Sequence, residues 1–153
     1  MGGPPENALT ALNNVKSLRI GGMLFRTVQE VSCVIYLITS CPKLQELTIE
    51  CETMNTMNDV AEPIVQFLRD QSSLYGVMKM LQRVRMSTFG GLEMEMEFVR
   101  FILAYAPVLD KISIWNYSCL LIQTGRRLTD KMKQFQRASP NVEIIVDEVD
   151  VED

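Results

Sequence analysis

Histidine is missing from all 153 residues of the chain. That one absence removes the Ser-His-Asp triad, the Cys-His nucleophile pair, the HExxH zinc site and any imidazole proton relay. Cysteine is scarce as well. Cys33, Cys41, Cys51 and Cys119 include no C-x-x-C pair, and no histidine is available to complete a zinc tetrahedron. The longest unbroken apolar run, Cys33 to Ile38, falls far short of the ~20 residues that cross a bilayer. Met1 to Glu6 has neither the cationic nor the apolar part of a secretion signal. Reduced, mostly buried thiols in a cytoplasmic and/or nuclear chain are therefore expected. Positive charge is also in deficit: 15 Lys+Arg stand against 19 Asp+Glu, a net charge of −4. Phosphate backbones select the opposite balance, so no nucleic-acid partner is expected. The reading so far is a folded chain with no cofactor, no metal, no membrane partner and no catalysis. A cysteine nucleophile would be the remaining enzymatic route, and no histidine can activate Cys41 or Cys119.

What the sequence does contain is a repeat. Four segments share the order aliphatic, two residues, aliphatic, one residue, aliphatic. They are Val15-x-x-Leu18-x-Ile20, Leu44-x-x-Leu47-x-Ile49, Leu81-x-x-Val84-x-Met86 and Leu109-x-x-Ile112-x-Ile114, spaced 29, 37 and 28 residues apart. The upstream flanks repeat too. Ser40-Cys41-Pro42-Lys43-Leu44 parallels Tyr105-Ala106-Pro107-Val108-Leu109, and Ala138-Ser139-Pro140-Asn141-Val142 is a fifth, divergent copy. The alternating end of each copy suits a short strand with one buried face. The prolines end a preceding helix and bias the residue before them towards extended backbone.

Helical patterns fill the gaps. Val28, Val31, Ile35 and Ile38 recur near helical spacing, as do Met94, Phe98, Phe101, Ile102 and Tyr105. A third helix is expected over Ala61 to Arg69, with Ile64, Val65 and Leu68 inward. A last one is expected over roughly Thr129 to Gln136, with Thr129 or Asp130 near its start. Glu93 and Glu97, at i, i+4, read as carboxylates favouring the dipole at a helix start. The ten methionines, Met78, Met80, Met94 and Met96 among them, read as core fillers. Phe89-Gly90-Gly91-Leu92 reads as a turn, since no Lys-Ser/Thr follows to make a phosphate loop.

Strand, helix and parallel strand at about 30 residues per unit is the leucine-rich-repeat arrangement. The expected fold is accordingly α/β: a leucine-rich-repeat-like solenoid fragment with parallel strands on the concave face and helices on the outer face. An ordinary compact α/β domain with core strands is the plainer alternative. Either way, the first strand should expose an edge open to further pairing.

One stretch carries more than a pattern. Leu81-Gln82-Arg83-Val84-Arg85-Met86 leads through Phe89-Gly90-Gly91 and the acidic Glu93 to Glu97 into Phe98-Val99-Arg100-Phe101-Ile102-Leu103. Ala106-Pro107-Val108-Leu109-Asp110-Lys111-Ile112-Ser113-Ile114 and Arg137-Ala138-Ser139-Pro140 follow in order. This order resembles the FBD domain at the C-terminus of plant F-box/leucine-rich-repeat proteins. Tyr36-Leu37-Ile38, leading into Cys41-Pro42-Lys43-Leu44-Gln45-Glu46-Leu47, is similar to the repeats preceding that domain. The resemblance divides the chain into a leucine-rich-repeat segment (1–76), an FBD domain (77–147) and an acidic tail (148–153). It implies a protein-interaction module like the substrate-recognition end of an F-box subunit of an SCF-type ubiquitin ligase, acting by binding rather than catalysis. Met1 to Leu12 is too short and too polar for an F-box, so the chain looks like the C-terminal part of such a protein or a truncated relative. A ligase adaptor is a partner only if an F-box is supplied elsewhere. The alternative is a free-standing scaffold or competitor that recruits no ligase.

Binding in such a repeat would use the strand residues lying between the aliphatics. These form three rows: Ser17, Glu46, Arg83 and Lys111; Arg19, Thr48, Arg85 and Ser113; Gly21, Glu50, Ser87 and Trp115. The candidate protein-binding residues are Arg19, Glu46, Arg83, Arg85, Lys111 and Trp115. Glu46 should pair with Arg83 across strands. Tryptophan is common among interface hot spots, although Trp115 folded over the sheet edge or Tyr117 is the plainer expectation. The four cations would make the concave face locally basic. A merely solvated face is the competing reading. Arg126, Arg127, Lys131, Lys133 and Arg137 form a second basic group around the last helix, read as a solvated face.

Overall fold

A computed structural model describes residues 12–23, 27–51, 61–71, 78–87, 93–117 and 125–149. Five strands and four helices alternate along them. The strands are β1 (Ser17–Met23), β2 (Glu46–Cys51), β3 (Arg83–Ser87), β4 (Lys111–Tyr117) and β5 (Glu143–Val149). The helices are α1 (Val28–Thr39), α2 (Ala61–Arg69), α3 (Glu93–Tyr105) and α4 (Gly125–Lys133). The strands form one sheet in the order β1-β2-β3-β4-β5, every neighbouring pair parallel.

Each aliphatic repeat ends in a strand, and the fifth copy provides β5. The registers align Leu18, Leu47, Val84, Ile112 and Ile144 in one row and Ile20, Ile49, Met86, Ile114 and Val146 in the next. In β2, β3 and β4 these side chains are essentially inaccessible, while the residues between them are exposed or half-buried. Period two therefore separates a covered face from an open one.

Before β1, β2 and β4 the chain repeats the same turn. Val15, Leu44 and Leu109 donate their N–H to the carbonyls of Leu12, Cys41 and Ala106, at 3.2, 3.1 and 3.3 Å. Buried pairs three residues apart mark these turns: Cys41 with Leu44, and Ala106 with Leu109. Ser139 with Val142 shows the same spacing around Pro140, and Met78 with Leu81 shows it without a proline. The Ser139 hydroxyl also donates to the Leu109 carbonyl at 2.6 Å, tying the last copy to the one before it.

A second recurring feature joins the units. The Lys16 carbonyl accepts from the N–H groups of Gln45 and Glu46, at 2.8 and 3.0 Å. Gln45 accepts likewise from Gln82 and Arg83, and Gln82 from Asp110 and Lys111. Asp110 accepts from Glu143 at 2.9 Å. The residue ahead of each strand thus anchors the start of the next.

The helices follow the sequence where apolar spacing is dense. In α1, Val31, Ile35 and Ile38 are buried as expected, joined by Val34, with Val28 half-buried at the start. Thr27 caps this helix, its hydroxyl oxygen accepting from the Glu30 N–H at 3.0 Å. A Thr-x-x-Glu spacing is the sequence mark of such a cap. In α2, Ile64, Val65 and Leu68 are buried as expected, and Pro63 sits in the first turn, where no intrahelical donor is missed.

Three expectations need correction. The last helix covers Gly125–Lys133, not Thr129 to Gln136. Its two buried anchors, Leu128 and Met132, need the turn ahead of Leu128, and Arg137 closes the other end by donating to the Met132 and Lys133 carbonyls. Strand β5, expected near Val142 to Val146, runs on to Val149 because β4 extends to Tyr117, so the ladder continues through Asp147 and Glu148. Met80 is 38% exposed and fills no core. In β1 the register shifts between Ile20 and Met23, although a Cβ at Gly21 would still lie 3.2 Å from Glu50 Oε1 in the third row. Gly22 adopts φ 69°, a left-handed conformation that favours glycine. The expected turn at Phe89-Gly90-Gly91-Leu92 lies outside the described residues.

No helix among the described residues is long and apolar enough to cross a membrane.

Candidate functional site

The open face of the sheet carries all six candidate residues. Arg19 on β1 pairs with Glu50 of β2. Arg83 on β3 pairs with Glu46 of β2 at 3.5 Å, the cross-strand contact expected from the sequence. All four of these side chains are well exposed, so each pair adds no more than ~1 kcal/mol.

The middle of the face has a different chemistry. Arg85 on β3 and Trp115 on β4 are diagonal neighbours, since Arg85 is in register with Ser113. The Arg85 guanidinium carbon lies 5.9 Å from the Trp115 ring centroid, a cation–π distance. Trp115 remains 37% exposed. Lys111 is half-buried, in register between Arg83 and Glu143. Arg83, Arg85, Lys111 and Trp115 therefore form one cluster on two adjacent strands, with Glu46 one strand away and Arg19 two.

This face is not uniformly basic. Glu46 and Glu50 on β2 and Glu143 and Asp147 on β5 flank the cations of β3 and β4. Register places like charges on the same strand, so acid and base alternate as stripes across the sheet. The acidic flanks were not apparent in the first four repeats, because half of them come from the divergent fifth copy. A partner that matches these stripes needs acidic groups over β3 and β4 and avoids them over β2 and β5.

A second polar centre lies on the covered side, among the helices. Nine residues of α3 are buried, from Met94 to Leu103, so this helix is enclosed on more than one face. Glu95 is 1% exposed and Glu97 is 7% exposed. Glu97 therefore does not serve as a solvated partner of the helix dipole beside Glu93. Its Oε2 accepts from Arg100 at 2.8 Å, and its Oε1 faces Arg69 Nε of α2 at 3.4 Å. Such a buried carboxylate is tolerable only with this pairing. Glu95 hydrogen-bonds the Cys51 thiol, and burial, the Glu95 charge and that bond push the Cys51 pKa well up, with a smaller push from Glu30. Burial raises Cys41 as well. Cys33, Cys41 and Cys51 are free thiols, Cys33 exposed and the other two buried. Thiols held protonated in this way are poor nucleophiles. No cluster of metal-ligating side chains occurs among the described residues.

Sequence reasoning missed the Glu97 centre. Arg100 at i+3 was a local signal, but Arg69 joins only through the packing of α2 on α3.

Comparison with known proteins fits this architecture. The FBD family model matches residues 75–114, which include β3, α3, the Ala106-Pro107 turn and the start of β4. An F-box/FBD/LRR-repeat protein of Arabidopsis thaliana is 23% identical over 132 residues, covering 86% of this chain. The chain spans 31% of that relative's length. No solved structure matches. The chain is thus similar to plant F-box/FBD/leucine-rich-repeat proteins, with the FBD match centred on the strand–helix–strand unit that carries Arg83, Arg85 and Lys111.

Proposed function

We propose that this chain is a partner-binding portion of an F-box/FBD/leucine-rich-repeat protein, working by binding and positioning rather than by chemistry. The sheet is read as part of a leucine-rich-repeat solenoid, with residues 1–76 as repeats, 77–147 as the FBD domain and 148–153 as an acidic tail. One observation carries the reading: a sheet face left open beside four covering helices, with Arg85 against Trp115 at its centre. A flat apolar ring with adjacent guanidinium donors suits a protein surface that presents an aromatic or aliphatic group beside a carboxylate. The ligase-facing function of such proteins resides in an F-box, so ubiquitin-dependent turnover of the partner depends on that module being joined to this one.

The test compares the native chain with Arg85→Ala/Trp115→Ala in quantitative affinity enrichment from plant extract. A specific partner should be retained by the native chain and lost by the variant, at unchanged melting temperature. Equal retention by both would remove the open face from the reading. A parallel pull-down with the cullin-ligase adaptor should fail for this chain and succeed for a longer product carrying an F-box. Tight adaptor binding by this chain alone would overturn the division of labour.

A further inference from the structure

The Glu97 centre opens into a cleft on the helical side. The first part, about 160 Å³, lies between Arg69, Glu97, Arg100, Phe101 and Tyr105. Ala104, Tyr105 and Gln136 also line a second part of about 180 Å³, which extends to Arg137 and Ala138. The two parts adjoin at these shared residues and together form a groove from the end of α2, across the last turns of α3, to the segment after α4. The Ala138 N–H donates to the Leu103 carbonyl at 2.9 Å, which fixes the far wall against α3.

Charge along this groove is uneven. At one end two guanidiniums share a single carboxylate, an excess of one positive charge. At the other end Arg137 donates to two main-chain carbonyls, which orient it without neutralising it. Arg69 and Arg100 are about half exposed, and each presents further N–H donors beyond the one directed at Glu97. Between the two ends stands half-buried Tyr105, backed by the nearly inaccessible Phe101 ring at 5.2 Å between centroids. Two separated single positive excesses, in a chain of net charge −4, match two single negative charges better than one concentrated dianion. A phosphoryl dianion at Arg69 and Arg100 would also sit against the Glu97 carboxylate.

We propose that this groove is a second protein-docking site, distinct from the open sheet face, and that it takes a diacidic peptide segment of a partner. One carboxylate is held by Arg69 and Arg100, the other by Arg137, and the intervening residues lie along Tyr105. Glu97 is a positioning residue: it holds the two arginines at the cleft in advance of binding.

The test uses fluorescein-labelled peptides in a Gly-Ala background, carrying two glutamates separated by one to five residues, and measures polarisation against the full chain. At least one spacing should bind, weaken with added salt, and lose at least tenfold in affinity when both glutamates are glutamine. Arg69→Ala/Arg100→Ala should lose at least tenfold as well. Because that variant strands Glu97, a second, Arg69→Gln/Glu97→Gln/Arg100→Gln, removes the cluster as a unit and should show the same loss with its melting transition intact. Arg85→Ala/Trp115→Ala should bind the peptide as the native chain does. Equal binding of the glutamine peptides, or native-like binding by the triple variant, overturns the proposal. So does a phosphoserine peptide that binds tenfold better than every diacidic one, since the site would then be a phosphate site. A chain ending at Val149 should bind as the full chain does; tighter binding would assign the groove to the chain's own acidic tail.

Discussion

Arginine and glutamate meet on both sides of this molecule, and the two sides treat them differently. On the open sheet face Arg83 and Glu46 are both more than half exposed, and their 3.5 Å contact costs little to make or lose. Among the helices Glu97 is nearly inaccessible and draws in two arginines from different helices. The same residue types thus decorate one face and hold together the other. What separates them is desolvation: a carboxylate removed from water must be paired, whereas one left in water has no such need.

Substitutions sharpen this contrast. The largest effect is expected beneath the helices, where Phe98 is fully buried. Phe98→Ala should lower unfolding free energy by ~3–5 kcal/mol in denaturant titration. A loss under ~1 kcal/mol would mean that α3 is not the centre of the packed side. Next come the two glutamates. Glu97→Gln should cost ~1–3 kcal/mol, because it weakens a buried carboxylate's bonds to two guanidiniums. Glu46→Gln should cost no more than ~1 kcal/mol. Similar values for the two would erase the distinction between the faces.

The smallest effect at neutral pH belongs to Cys51. Its folded pKa lies above the ordinary thiol value of 9.0, so the folded chain keeps a proton that the unfolded chain releases. The corresponding stability is fully present below pH 9.0 and is lost as pH rises towards and through the folded value. Thermal melts should therefore fall more steeply above pH 9.0 for the native chain than for Cys51→Ala. Parallel slopes would show that the Cys51 thiol is not held as described. In the same pH range Cys33 should be alkylated before Cys41 and Cys51, as peptide mass mapping would show.

The strands were legible because period two and the repeated aliphatic triplet are local signals. Those signals survive even where the proline is replaced, as at Met78 to Leu81. The candidate residues of the open face followed directly from the same alternation. Three things were not legible, each for a physical reason. The run Glu93-Met94-Glu95-Met96-Glu97 reads as an acidic helix start, and nothing local shows that its carboxylates find Cys51 and Arg69 across the packing of other elements. Helix α4 has only Leu128 and Met132 as apolar anchors, too few to set its bounds among Arg127, Asp130, Lys131 and Lys133. The acidic flank at Glu143 and Asp147 depends on β5 being in register with β4, which a divergent fifth copy does not announce.

The anchoring carbonyls of Lys16, Gln45, Gln82 and Asp110 have an evolutionary consequence. Each of these bonds is made by main-chain atoms, so it sets no requirement on the exposed side chains of the strands it aligns. An exposed residue can therefore change in the course of descent while the joint behind it keeps its bonds.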